Sequence, residues 1–308
     1  MNLPLDLIKV ALLAGTGWVV ALALARGPAS VRHDLWLLVA LGAVLLPVIE
    51  LLLPAWYVSV PAQWEALEHS PRWLSLALGV WAAGALLWAA RVVPGVLALR
   101  AVARRGEHWN TPEVERTLAD AARLAGVTAP VTVLRSDAVD VPVTWGVRHP
   151  VVALPAAAAT WMAARLRLVL VHELVHVRRQ DVVVEGFLWL AAAVYWFHPA
   201  MWLATRRVRL ERERACDEAV LATGARASEY CEHLVEILRA ATRRSRGAVV
   251  GAAMAAPCTL EHRVRALLSA PPSPSSGRGA ALLLGGAVVI YALGALGICA
   301  WQLPGVGH

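Results

Sequence analysis

The sequence predicts a mainly α-helical integral membrane protein, in which about four transmembrane helices flank an inserted α+β domain. Two observations predict the membrane part. The 308 residues are 58% hydrophobic and only 17% charged, with a mean hydropathy of +0.57, and several apolar runs reach the about 20 residues that a helix needs to cross a bilayer. A third observation predicts the inserted domain, because helical and strand patterns alternate over residues 103–270.

Four apolar runs are the candidate transmembrane helices. We interpret the first as a retained helix rather than a secretory signal, because a second apolar run follows it at once. Arg91 and Pro94 interrupt the third run, which we expect to leave the membrane near Arg100. The four runs span residues 7–24, 35–58, 74–99 and 280–301.

Loop charges predict the orientation, since Lys and Arg near span ends stay on the cytoplasmic side. The first loop carries Arg26 and Arg32, whereas the second has two glutamates against one arginine. We therefore expect the N-terminus and the second loop outside, and the first loop and residues 100–278 inside. The short tail after Trp301 is then expected outside.

This organisation divides the chain into four parts. Residues 1–102 carry three transmembrane helices, 103–270 form the cytoplasmic domain, 271–279 are a Pro/Ser/Gly-rich linker, and 280–308 hold the last helix and tail. Much of the formal net charge of +7 lies near span ends, which indicates contact with anionic lipid and no direct binding of nucleic acid. The four cysteines lack metal-type spacing, and we expect no disulfides.

Local patterns predict the elements of the inserted domain. Thr111 and Gly126 are a helix cap and a helix stop around an amphipathic segment. The β-branched runs VTVLRSD and HPVVALP are typical of strands, and the proline in VPVTWG indicates an edge strand. Further helices are expected over residues 110–125, 157–179, 205–224 and 228–243.

The helix over residues 157–179 carries RLVLVHELVHVRR, in which three polar side chains interrupt an apolar run. His172 and His176 are four residues apart, so one helix face presents both imidazoles to one point. Two such nitrogens suit Zn²⁺, and the carboxylate of Glu173 can take a proton from water. This is the HExxH pattern of zinc metallopeptidases.

A catalytic zinc usually has three protein ligands, so a third is expected on another helix. The stretch LERERACDEAV offers Glu211, Glu213, Asp217 and Glu218. Glu213 and Asp217 share a face, so one could bind the metal while the other orients a histidine. Taken alone, this stretch is more typical of a solvated helix with Arg/Glu pairs.

Three ordered motifs, HELVHVRRQD, WFHPAMW and ERERACDEAV, resemble those of the BlaR/MecR-type antirepressor metallopeptidases. The upstream VPVTWGVRHPVVALP is also similar to that family, and the resemblance covers about residues 100–270. It implies a gluzincin-like zinc domain on the cytoplasmic face of a bacterial inner membrane, with one zinc per chain. It also implies these roles: His172, His176 and Glu213 as ligands, Glu173 as general base, Asp217 orienting a histidine, and Glu211 only as an alternative ligand.

The ligand set constrains the apolar segment 182–204. A single crossing would put Glu213 on the side opposite His172, so the segment must return as a hairpin or a re-entrant pair, or lie within protein. The pair His198 and Pro199 is a candidate bend. Glu185 fits a cavity better than lipid.

The resemblance implies a regulatory endopeptidase that cleaves a cytoplasmic protein such as a transcriptional repressor, and self-cleavage in ATRRSRG is an alternative target. The edge segment 143–147 could hold an extended substrate, and His198 or His233 could stabilise an oxyanion. We expect no penicillin-binding sensor domain after Trp301, and we expect a signal to come through the loops, the spans or a separate sensor partner.

Two other functions stay open. A non-proteolytic signalling or scaffold protein could keep a structural or vestigial zinc site, although Glu173 argues against it. A zinc transporter would need acidic ligands within the spans, and residues 35–58 offer only Glu50.

Overall fold

The computed structural model describes residues 3–25, 27–52, 56–59, 71–244, 257–269, 286 and 299–302. These residues are mostly helical and fall into two units. Unit 1 comprises Met1–Ala90, Leu188–Glu211 and Pro274–His308, and unit 2 comprises Arg91–Phe187 and Arg212–Ser273.

Unit 1 contains the apolar helices α1 (Leu3–Ala23), α2 (Ala29–Leu52) and α3 (Pro71–Ala90). Within the described residues, two helical stretches are long and apolar enough to cross a membrane, Ala29–Leu46 and Ser75–Arg105, and Ile8–Ala23 is a shorter apolar helix. The length and composition of these helices are compatible with transmembrane helices at these places.

Two predicted spans are wrong at their ends. Residues Trp56–Ser59 form a strand, β1, where the prediction had helix up to residue 58. Cys299–Gln302 form β6, which pairs in parallel with β1. The physical reason is that apolarity does not separate a strand from a helix, and aromatic and β-branched residues such as those of WYVS favour a strand. Apart from Gly286 and residues 299–301, the predicted span 280–301 lies outside the described residues.

The side chain of Arg32, which is mostly buried, links three parts of unit 1. Its Nη1 donates hydrogen bonds to the carbonyl oxygens of Ala25 and Gly27, just after α1. Its Nε and Nη2 lie 2.9 Å from Oε2 of Glu211 on helix α8 (Pro199–Leu221). The first loop and this part of α8 are therefore fixed to each other by a buried ion pair.

The apolar segment 182–204 is broken in the middle. Helix α7 (Asp181–Val194) ends before His198, and α8 begins at Pro199, with the backbone N–H of Ala200 donating to Nδ1 of His198. After the break, α8 runs back beside α7. In unit 1 Arg209 lies over the ring of Trp189, 5.7 Å from its centroid; in unit 2 Arg212 pairs with Glu185 at 2.8 Å.

Unit 2 is built on a four-stranded sheet with the order β2-β3-β5-β4. The central strands β3 and β5 are parallel, and β2 and β4 flank them in antiparallel orientation. The predicted strands and the edge position of VPVTWG are confirmed. The strands are β2 (Glu107–His108), β3 (Thr132–Ser136), β4 (Val143–Trp145) and β5 (Val151–Pro155).

The helices of unit 2 pack around this sheet. The predicted soluble helix is confirmed as α5 (Pro112–Ala125). The Thr111 side chain accepts a hydrogen bond from the N–H of Val114 at its start, and Gly126 ends the helix with φ 71°. The HExxH helix is shorter than predicted, because residues Ala156–Thr160 form a separate 3-10 turn. The helices are α4 (Val92–Arg105), α5 (Pro112–Ala125), α6 (Ala163–Arg179), α9 (Ala227–Arg244) and α10 (Pro257–Ser269).

Helix α6 is the centre of the unit 2 core. Every residue from Leu168 to Val175 is buried, so its apolar side chains pack in all directions. They contact β5 residues such as Leu154, α5 residues such as Ala121, and Val220 of α8 within one hydrophobic cluster. A helix that is buried all round must find partners for its polar side chains inside the protein.

Gly146 follows the edge strand β4 with φ 89°, and an added Cβ would collide with the carbonyl oxygen of His149. We expect Gly146→Ala to lower the free energy of unfolding by about 1–3 kcal/mol, because both the backbone conformation and the turn resist a side chain. Gly186→Ala is the matched control, since that helical position has open space. Equal thermal unfolding of the two variants in detergent would contradict this expectation.

Candidate metal centre

A sharp turn at the end of α6 brings Asp181 next to the ring of His176. The helix ends at Arg179, and Gln180 adopts the left-handed conformation with φ 57° while its N–H bonds back to the carbonyls of His176 and Val177. This sharp turn starts α7 at Asp181. The Asp181 carboxylate thereby lies 2.7 Å from Nδ1 of His176.

His172 and His176 point their Nε2 atoms at each other, 3.3 Å apart. The carboxylate of Glu213 completes the group: Oε2 lies 3.7 Å from Nε2 of His172, and Oε1 lies 3.9 Å from Nε2 of His176. The structure thus brings together the three residues that the sequence singles out as ligands. They come from two helices, α6 and α8, of unit 2.

On the far side of the rings, each histidine has a different partner. His176 contacts Asp181 directly, and the Cys216 sulfur lies 3.4 Å from the same Nδ1. His172 contacts the hydroxyl of Tyr230 at 2.9 Å from Nδ1, and that hydroxyl donates to Oδ1 of Asp217 at 2.8 Å. In both rings Nδ1 faces a hydrogen-bond acceptor and carries a proton, so Nε2 is the nitrogen that has a lone pair when the ring is neutral.

Two arginines balance the acidic groups of α8. Arg263 of α10 binds Asp217 through two nitrogens, at 2.7 and 2.8 Å, and its Nη1 lies 3.2 Å from Glu213. Arg212 lies 3.4 Å from Glu213 and 2.8 Å from Glu185. These carboxylates are buried or partly buried, and the cations compensate the cost of keeping them ionised.

The surroundings shift the pKa values of the site in opposite directions. Burial opposes ionisation of Glu213, but the nearby His172 ring, the His176 charge and the two arginines hold its pKa well below the usual range. Burial also opposes protonation of His176, yet its pKa is raised well above the ordinary value by the Cys216 sulfur and by the Asp181 and Glu213 carboxylates. Burial raises the pKa of Cys216 and keeps it an uncharged thiol at neutral pH. The two carboxylates are therefore the main cause of the raised pKa of His176.

Two further pKa shifts keep the outer groups in fixed protonation states. Burial, followed by the Asp217 charge, raises the pKa of Tyr230 well above 10.0, so the phenol stays protonated and donates. The pKa of Asp181 is lowered against the effect of burial, by its hydrogen bond to His176 and by nearby arginines. Asp181 is therefore an acceptor for the His176 ring.

Glu173 lies one residue after the first histidine and is buried. Its Oε2 accepts a 2.6 Å hydrogen bond from the hydroxyl of Thr144 on β4. The edge strand therefore holds one carboxylate oxygen of Glu173. A hydrogen bond to an ionised carboxylate is short and strong, so it restricts the rotation of this side chain.

The donor set fits zinc. Two neutral imidazole nitrogens and a carboxylate are ligands that Zn²⁺ takes in three-ligand sites, and each Nε2 has its lone pair directed into the same space. Among the described residues, the other group with suitable spacing is His176, Asp181 and Cys216, which shares a histidine with the first.

The remaining candidates from the sequence lie elsewhere. Glu211 belongs to unit 1 and is paired with Arg32, so it is not part of this group. His198 accepts a hydrogen bond at the start of α8, which is a structural role at a helix N-terminus. His233 lies 4.0 Å from Glu229, one turn earlier on α9.

The sequence missed four residues of the site: Thr144, Asp181, Tyr230 and Arg263. Asp181 had a local signal, because it follows the second histidine closely and a carboxylate near a ligand histidine often orients it. The other three come from a different strand or helix, and no spacing in the sequence connects them to the HExxH motif.

Comparisons with known proteins point to one family. A family model described as "BlaR1 peptidase M56" matches residues 57–267. The regulatory protein BlaR1 of Bacillus licheniformis is 39% identical over 93 residues, and the methicillin resistance mecR1 protein of Staphylococcus aureus is 25% identical over 92 residues. Each alignment covers 30% of this chain and 16% of the relative, so the chain is matched to a small part of these longer proteins.

The raised pKa of His176 gives a pH prediction for metal binding. Because its pKa is raised, the metal-free His176 ring keeps a second proton, on Nε2, to a higher pH than an ordinary histidine does. Zinc must displace that proton, so the apparent zinc affinity should rise with pH. We expect up to about tenfold per pH unit through the neutral range, measured by competition with a chelator. Asp181→Asn should flatten this dependence, and the exposed Asp120→Asn should leave it unchanged. An affinity that is constant between about pH 7 and 8 would contradict the prediction.

Proposed function

This chain belongs to the BlaR1 peptidase M56 family, as its motifs predict, and from this premise we propose that it is a membrane-embedded zinc endopeptidase. Its proposed role is regulatory: it cleaves a cytoplasmic protein such as a transcriptional repressor. The name of one relative, the regulatory protein BlaR1, supports a regulatory role.

One observation carries the proposal. Nε2 of His172, Nε2 of His176 and the carboxylate of Glu213 converge within 4 Å of one another, and a second carboxylate, Glu173, adjoins them on the same helix. A purely structural metal site has no need for that additional carboxylate. The pattern is the one that hydrolysis of a peptide bond requires.

In this proposal His172, His176 and Glu213 hold the metal, and Glu173 is the general base. When bound, zinc supplies Lewis acidity: it polarises the peptide carbonyl and makes water acidic enough to attack near neutral pH. Glu173 takes the proton of the attacking water at a carboxylate oxygen and later passes it to the leaving amine. Because Thr144 occupies Oε2, this proton would be held at Oε1.

The edge strand β4 is the proposed binding place for an extended substrate. It lies at the end of the sheet order, and its Thr144 side chain contacts Glu173. A peptide that added to the free edge along residues 143–147 would have its main chain aligned beside the general base. Strand addition binds main-chain atoms, so it accommodates many side chains.

We also propose the membrane topology that the loop charges predict: four spans, with residues 103–270 inside, a linker at 271–279 and a last helix within 280–308 of a bacterial inner membrane. The ion pair between Arg32 and Glu211 supports this, since it joins the first loop to the first residue of the ERERACDEAV motif on α8. The broken segment 182–204 would then enter and leave on the cytoplasmic face.

The functional test separates metal binding from chemistry. We expect the detergent-purified protein to bind about one zinc, Glu173→Gln to keep the metal but lose cleavage about 10²–10⁴-fold, and Glu213→Ala to lose the metal. Glu218→Ala, on the exposed side of the same helix, is the control that should change neither. Cleavage is measured with a candidate repressor and a peptide library.

Each other outcome of that test has a clear meaning. Full zinc content in Glu213→Ala would remove Glu213 from the ligand set. Zinc binding by the parent without any cleavage that depends on Glu173, even with native membrane partners present, would favour a scaffold with a structural or vestigial zinc site.

The topology has its own test, with reporters fused after residue 63 and after residue 126. Alkaline phosphatase is active only outside the cytoplasm, and green fluorescent protein exported in unfolded form does not fluoresce. We expect phosphatase activity at the first position and fluorescence at the second. Reports from the same side at both positions would contradict the proposed arrangement.

A further inference from the structure

We propose that Tyr230 and Arg263 are positioning residues that, together with Asp217, fix the His172 ring with its proton on Nδ1 and its Nε2 lone pair directed at the metal. This inference rests on the proposed zinc site, but it concerns residues that lie outside both the HExxH motif and the ERERACDEAV motif. They reach the site from α9 and α10, helices that follow both motifs in the chain.

The contact between Asp217 and His172 is indirect. Nδ1 of His172 lies 3.4 Å from Oδ1 of Asp217, which is longer than a good charge-assisted hydrogen bond. The Tyr230 hydroxyl makes two shorter contacts, 2.9 Å to Nδ1 and 2.8 Å to Oδ1. Asp217, which the sequence suggests as the residue that orients a histidine, therefore acts through the hydroxyl of a tyrosine from another helix.

The direction of these hydrogen bonds fixes the tautomer. A hydroxyl has one proton, and an ionised carboxylate is an acceptor only, so Tyr230 must donate to Asp217. The Tyr230 oxygen then accepts, and its partner Nδ1 of His172 must carry a proton. With the proton on Nδ1, the Nε2 of His172 is the nitrogen that can bind a metal.

We call the hydrogen-bonded chain His172, Tyr230 and Asp217 the relay. Arg263 holds its acidic end, Asp217. Two of its nitrogens bind the Asp217 carboxylate at 2.7 and 2.8 Å, so the carboxylate is held in one orientation beside a positive charge. The same guanidinium reaches Glu213 at 3.2 Å. One side chain from α10 thus fixes both the relay and the third ligand, which lie four residues apart on α8.

The two histidines differ in a way that makes the relay testable. His176 bonds directly to Asp181, which begins the very next helix. His172 depends on a chain of three side chains from three helices. A substitution in the relay should therefore affect His172 and leave the ring of His176 in place.

The first measurement is the tautomer of His172 in the full chain without metal, by NMR of protein labelled with ¹⁵N-histidine, at about pH 8 where histidine is ordinarily neutral. His172→Gln assigns the signal. We expect the Nδ1–H form in the parent and a mixture of tautomers in Tyr230→Phe. Tyr195→Phe is the matched control, since that buried hydroxyl donates to the carbonyl of Ala43 instead.

The second measurement is zinc affinity by chelator competition, alongside thermal unfolding without metal. We expect Tyr230→Phe and Arg263→Gln to weaken zinc binding about 10–100-fold, and Arg263→Lys to restore only part of it, because an ammonium cannot bind a carboxylate through a planar fork. Arg265→Gln is the control for Arg263, since Arg265 is exposed and paired with Glu261. Tyr195→Phe again controls for the loss of a buried hydroxyl.

The outcomes separate this inference from the proposed function. An unchanged His172 tautomer in Tyr230→Phe, or a loss of thermal stability with unchanged zinc affinity, would overturn the relay. A parent that shows the Nδ1–H tautomer but binds no zinc would uphold the positioning of the ring and overturn the peptidase proposal. A shifted tautomer together with weakened zinc binding, beyond the Tyr195→Phe control, supports both.

Discussion

The structure depends on one constraint, which is that α6 must be buried on all sides while it carries two histidines and a glutamate. Polar groups of this kind cost several kcal/mol each when they are buried without partners. Because a helix satisfies only its own backbone, every partner for His172, Glu173 and His176 has to come from another element. The surrounding strands and helices of unit 2 are arranged to deliver those partners.

The partners come from progressively more distant parts of the chain. Asp181 follows α6 after a single left-handed residue, and Thr144 precedes it on the edge strand. Glu213 and Asp217 arrive on α8 only because the chain turns back at His198. The candidate metal centre therefore depends on this turn, since a chain that failed to return could not bring Glu213 close to His172.

Charge balance explains the arginines around the site. Glu213 and Asp181 are kept ionised in surroundings that disfavour charge, and Arg263 and Arg212 supply compensating positive charge. Removing one partner of such a buried pair commonly costs about 3–5 kcal/mol, because the other charge is left behind. The arginines that make this stretch look like a solvated helix in the sequence are thus partly turned inward, with Arg212 buried.

The sequence by itself determined the family, the apolar runs, the main strands of unit 2 and the helices that carry His172, His176 and Glu213. These features depend on local periodicity and on fixed spacings, which a sequence displays directly. Local patterns did not separate strand from helix at Trp56–Ser59. Only the tertiary structure decided that Thr144, Tyr230 and Arg263 belong to the site, because hydrogen bonds between distant segments depend on how helices and strands pack, and no spacing along the chain records that packing.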